Sequence, residues 1–201
     1  MKVVEEARRP YRMEARADAA AATAEAILDA VTELFWEQPS DQVRLDQVAS
    51  RAGVTVQTVI RRFGNKDKLF AAAAERQSRL VMEARARVVP GDVRGAVANL
   101  VEHYELMGDR VLRMLAEEGR IPAIKELADG GRRLHREWCQ SVFAPFLTDR
   151  PAAVRKRRLA QLVAICDVYT WKLLRRDSGL SRQQTERALA EMLAPFTKDV
   201  T

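Results

Sequence analysis

Residues 45–69, LDQVASRAGVTVQTVIRRFGNKDKL, fall into two short helical segments about a glycine and run directly into the start of a third. Val48, Ala49, Ala52, Val54, Val59 and Phe63 supply a small apolar core for them. Gly53 stands where a tight turn needs a residue that accepts positive φ. Thr55 is placed so that its hydroxyl accepts a free backbone N–H of the next first turn. The second segment opens at Val56 and turns Gln57, Thr58, Ile60, Arg61 and Arg62 outward. Two short helices about a glycine turn, the second polar and basic on its outer side, is the layout of a DNA-reading helix-turn-helix.

At about 100° per residue, Val59 and Phe63 point inward together. Gln57 and Arg61 share the opposite side, flanked by Ile60 and Thr58. Gln57 suits the N6/N7 edge of adenine and Arg61 the O6/N7 edge of guanine; such pairs discriminate by roughly 1–3 kcal/mol each. Thr58, Arg62 and Lys66 suit phosphates, which position a protein without reading sequence. Lys66 also lies at a helix N-terminus, where free N–H groups favour an anion.

The net charge of +6 does not explain that binding. Residues 1–66 hold ten basic and ten acidic side chains; the remainder hold 24 and 18, so the excess lies there. What serves phosphate is local clustering. Glu25, Asp29, Glu33 and Glu37 share one helical stripe, expected to face away from DNA.

Nearly every other segment reads as helix, since no long alternating pattern supports a strand. Residues 1–22 read as a flexible, alanine-rich basic arm, with Arg8, Arg9 and Arg12 suited to a minor groove. Thr23–Trp36 forms the first firm helix on Ile27, Val31, Leu34 and Phe35. Residues 23–66 are then the helix-turn-helix domain and 67–201 a second helical domain. A long helix begins at Lys66 with Asn65 as its cap. Gly108-Asp109 marks a possible break in the helix after Asp92. Gly130-Gly131 separates a short helix from another over about Arg132–Phe146. Pro151 suits the first turn of a helix running to about Asp177. That helix is apolar almost all round from Leu159 to Leu174, so it must be covered on more than one face. Ser181 with Gln184 is a capping box for a last helix.

The 45–69 segment closely resembles the DNA-binding domain of TetR-family transcriptional regulators. Val48-Ala49, Ala52-Gly53-Val54, Thr58-Val59, Phe63 and Lys66 with Leu69 carry the likeness, over about residues 23–70. The chain departs from the family at three places: Ile60 where an aromatic is usual, Arg44 where a hydroxyl residue commonly caps, and Gln38-Pro39 where glycine is frequent. Ile60 keeps apolar surface for a thymine methyl, and Arg44 gains reach toward a phosphate. The resemblance implies an all-α protein with an N-terminal three-helix DNA-binding domain and a larger helical ligand-binding and dimerisation domain. It implies a homodimer on a near-palindromic double-stranded operator, released by a small-molecule effector. A regulator without such a switch, or a helical protein-interaction module, are the alternatives.

On that reading Tyr104, Met107, Met114, Trp138, Cys139, Tyr169 and Trp171 are pocket candidates, since ligand sites form between bundled helices. The basic excess of this half favours an anionic or neutral ligand over a cation. Leu159, Leu162, Val163, Cys166, Leu189, Met192, Leu193 and Phe196 are candidates for the interface between copies. Arg155-Lys156-Arg157-Arg158 reads as the solvated end of a helix. His103 and His135 stand far apart and suggest no metal. With no nucleophile–base pair, phosphate loop or zinc spacing, an enzyme reading has nothing to rest on and no cofactor is expected. The two cysteines give no disulfide framework, and no apolar run approaches the ~18 residues of a membrane span. A cytoplasmic protein is expected.

Overall fold

The structure, a computed structural model, describes residues 3–148 and 150–197; for residues 3–16 and 123 it describes backbone only. Every regular element among them is helical. The chain divides into two compact units, Met1–Gln77 and Ser78–Thr201.

The first unit holds α1 (Val3–Glu37), α2 (Leu45–Arg51), α3 (Val56–Phe63) and the first part of α4 (Lys66–Arg85). Ile27, Leu28, Val31 and Leu34 of α1 close on Val43, Val48, Ala49, Val59 and Leu69. The expected arm is instead helix from Val3 onward. Ala15 to Ala24 is rich in the residue that costs least in a helix, and it continues the buried turns of Ile27–Leu34 backward. The side chains of Arg8, Arg9 and Arg12 lie outside the described residues. The unit boundary falls inside α4 rather than after Lys66, because Leu69, Phe70, Ala72 and Ala73 complete the first core.

The second unit holds α5 (Val93–Glu117), α6 (Pro122–Val142), α7 (Ala144–Leu147), α8 (Ala152–Ile165), α9 (Val168–Lys172), a π-helical turn (Leu173–Asp177) and α10 (Arg182–Thr197). α5 packs on α6, α9 and α10, and α8 packs on α6 and α10. Capping agrees with the sequence at Asn65, which accepts from Lys68 N–H at 2.9 Å, and at Ser181 and Gln184, which satisfy one another's N–H groups.

Three expected boundaries differ. α5 runs unbroken through Gly108, which is buried against Trp171. α6 runs unbroken through Gly130-Gly131. Ile124, Ala128, His135, Trp138, Cys139 and Val142 form one buried stripe along it, which outweighs the roughly 1 kcal/mol that each mid-helix glycine costs.

The helix expected over 151–177 breaks at Cys166-Asp167, where Asp167 is extended and its carboxylate caps α9 by accepting from Tyr169 N–H at 2.9 Å. Side chains take up the carbonyls freed at the break. Tyr104 Oη donates to Cys166 O at 3.0 Å, Thr170 Oγ1 to Ala164 O at 2.6 Å, and His135 Nε2 lies 3.3 Å from Val163 O. A buried break of this kind is stable only with such partners.

Candidate nucleic-acid interface

α2 ends at Ala52, whose N–H bonds Val48 O at 2.9 Å, and the chain turns at Gly53 with φ +65. Thr55 Oγ1 then accepts from Thr58 N–H at 3.2 Å and lies 3.0 Å from Thr58 Oγ1. That cap starts α3 with Val59 turned fully inward and Phe63 half-buried beside it. Gly64, at φ +86, ends α3 within two residues of α4.

The exposed side of α3 carries Val56, Gln57, Ile60, Arg61 and Arg62, in keeping with the helical spacing. Gln57 and Arg61 engage no partner among the described residues, so their hydrogen-bonding groups are open to solvent. Ile60 is 47% exposed, an apolar side chain set between them. The other candidates are more committed. Thr58 is half-buried and shares its hydroxyl with the Thr55 cap. Arg62 donates to the carbonyl of Ala20 on α1. Lys66 is half-buried, with Nζ 3.3 Å from Asp41 O and above the Phe70 ring. Arg44 donates from Nε to Asp46 Oδ1 at 3.0 Å, and this pairing holds the Asp46 carboxyl below its usual range.

By sequence Arg51 groups with the basic residues near the motif. In the structure Arg51 belongs to the acidic stripe: it lies 2.7 Å from Glu37 and 3.7 Å from Glu33. Arg76 of α4 takes the other half of the stripe, at 2.8 Å from Glu25 and 2.7 Å from Asp29. The acids therefore hold α1 to α2 and α4 by ion pairs. Neither arginine was legible as a partner, since each is brought in by folding.

In the second unit Tyr104, Trp138, Cys139 and Trp171 do come together in one core. They are packed shut, and their polar atoms are occupied: Tyr104 by Cys166 O, Trp138 by Arg85 O at 3.3 Å, Trp171 by Glu105 at 3.2 Å. Met107 and Met114 are half-buried on α5. Tyr169 separates from this group, at 52% exposed, because the restart at Asp167 turns it outward. A surface cleft of about 470 Å³ is lined instead by Arg136, Gln140, Leu147, Arg155, Lys156 and Leu159, among others.

The interface candidates also need correction. Leu159, Leu162, Cys166, Leu189 and Leu193 are buried in the unit's own core, so they present no surface to a second copy. The break at Cys166 lets one chain bury a stretch that a straight helix would leave half uncovered. Met192 is exposed, and Val163 and Phe196 are half-buried.

Comparison with known proteins agrees with this architecture. Residues 27–73 match the family model of bacterial regulatory proteins of the tetR family. No curated protein matches the chain. Among solved structures, the SmeT–triclosan complex is similar at 22% identity and TM-score 0.66, over 89% of this chain and 93% of that one. NalD of Pseudomonas aeruginosa, the secondary repressor of the MexAB-OprM multidrug efflux pump, is similar at 23% identity and TM-score 0.62, over 90% and 99%. A transcriptional regulator from Rhodococcus sp. Rha1 is similar at 19% identity and TM-score 0.62, over 88% and 95%. Residues 27–73 thus match the tetR-family model of bacterial regulatory proteins, and the chain shares its all-helical fold with these regulators.

Proposed function

We propose that this protein is a homodimeric repressor, held on a near-palindromic operator through α3 and released by a small molecule. The open pair Gln57 and Arg61, with Ile60 between them, carries the reading. These are hydrogen-bonding and apolar groups suited to base edges, on a helix whose other side is fixed by Val59 and Phe63. Two copies would set their α3 helices in successive major grooves, about 34–36 Å apart. Tyr169, Leu173 and Met192 are exposed apolar side chains of the last elements that a second copy would cover.

The release step is supported by what is known of the similar proteins, one a complex with triclosan and another a repressor of an efflux pump. α4 suits the coupling. It begins at Lys66, beside the α3 reading residues in sequence, and ends at Arg85 in the second unit. A ligand that favours one setting of that helix shifts the population able to bind DNA. The protein is expected to act in the cytoplasm; no described helix is long and apolar enough to cross a membrane.

The test is selection from a random double-stranded oligonucleotide pool, with light scattering at micromolar protein. The expected result is one enriched motif of two half-sites a helical turn apart, bound by a dimer. No enriched sequence, or a monomeric mass, overturns the reading.

A further inference from the structure

At the end of α4 the second unit encloses a guanidinium. Arg85 is 8% exposed, and no carboxylate pairs with it among the described residues. Its guanidinium lies over the Trp138 ring at 5.0 Å, and Nη1 is 3.3 Å from His135 Nδ1. Its Nε is buried with no hydrogen-bond partner. Next to it, Asn99 donates to Ala84 O at 3.0 Å and leaves its Oδ1 buried and unpaired. His103 does not add a second charge, because burial, reinforced by Arg85 and His135, pushes it down to about 4.

A buried guanidinium costs free energy unless an anion answers it, and a missing donor partner adds to that cost. Trp138 and His135 hold the group in place without neutralising it. Arginine presents a planar fork matched to a carboxylate, and the unpartnered Nε is the donor left for one. We propose that Arg85 anchors a small organic carboxylate as the effector of this regulator. The inference rests on the effector reading above and names the chemical class that would fill the site. Arg85 sits in the last turn of α4, so an acid bound there acts on the helix that begins at Lys66.

The test is thermal unfolding of the full chain at fixed ionic strength, which needs no DNA and so fails independently of the repressor reading. The probes are sodium benzoate and its neutral counterpart benzamide, each at millimolar concentration. Benzoate is expected to raise the wild-type Tm by several degrees and benzamide to leave it unmoved. Arg85→Met is expected to melt at or above the wild type without probe and to lose the benzoate shift; Arg85→Lys, which keeps the charge, retains part of it. Two results overturn the proposal. One is a wild type indifferent to benzoate. The other is an Arg85→Met protein that melts well below the wild type, which would make Arg85 a structural brace. The Cys139 thiol, drawn down by its hydrogen bond with Cys166 and then by that with His135, is the internal rival for the guanidinium. If its thiolate already answers Arg85, both overturning results appear together.

Discussion

A Cβ placed on Gly108 would stand 2.4 Å from Cζ3 of Trp171, far inside van der Waals contact. The indole is fully buried on the α5 backbone and fastened at its rim: Nε1 donates to Glu105, and the Arg176 guanidinium lies 4.6 Å from the ring centre. Arg175 and Arg176, in the π turn, pair with Glu105 and Asp109 on either side of Gly108. Gly108→Ala is therefore expected to destabilise the second unit by about 1–3 kcal/mol, the range for overpacking a rigid core. Urea unfolding checks it. Trp171→Leu in the same chain should relieve much of that loss, giving non-additive effects in a double-mutant cycle.

His103 supplies a pH signature. Burial lowers its pKa from 6.5 to about 4 in the folded chain, with Arg85 and His135 adding repulsion. The unfolded chain takes up that proton below 6.5 and the folded chain only near 4. Acid thus favours unfolding: stability falls as pH drops from 6.5 and the effect saturates near 4. His103→Gln is expected to flatten the stability profile in that window. Urea midpoints at pH 7, 6, 5 and 4 test this; an unchanged slope would sink it.

How far the sequence spoke depended on the range of the interaction. The helix-turn-helix was legible because its determinants lie within 25 residues: the Gly53 turn, the Thr55 cap, and Val59 and Phe63 turned to one side. The break at Cys166-Asp167 was not, since Tyr104, the side chain that takes the Cys166 carbonyl, lies 62 residues away. Gly108 read as a helix breaker because nothing local announces an indole arriving from residue 171. The acidic stripe on α1 was visible, but its partners Arg51 and Arg76 were not. Of the aromatic residues read as a pocket, Tyr104, Trp138 and Trp171 do form a cluster and Tyr169 does not. Composition alone could not tell a filled core from a lined cavity.

Gln57 and Arg61 should separate reading from holding. With the selected operator, Gln57→Ala and Arg61→Ala are each expected to cost roughly 1–3 kcal/mol and to relax preference at one base position per half-site. Affinity for unrelated duplex should change much less. Fluorescence anisotropy against single-base operator variants measures both. Equal losses on operator and unrelated DNA would assign these side chains to phosphate instead.

Lys66 should show the opposite pattern. Its ammonium lies 3.3 Å from Asp41 O, a neutral partner that leaves its charge available at the start of α4. Lys66→Ala is expected to weaken operator and unrelated DNA alike. It should also reduce the slope of log affinity against log salt by about 0.9 for each phosphate that is no longer neutralised. In a dimer both copies contribute, so the change should be near twice that. Arg44 makes the useful control: its guanidinium is already paired with Asp46, so Arg44→Ala should move the slope less than Lys66→Ala does. Salt titrations of the three proteins on one duplex measure this directly. A slope unchanged in Lys66→Ala would remove Lys66 from the interface and leave α4 touching DNA through its backbone N–H groups alone.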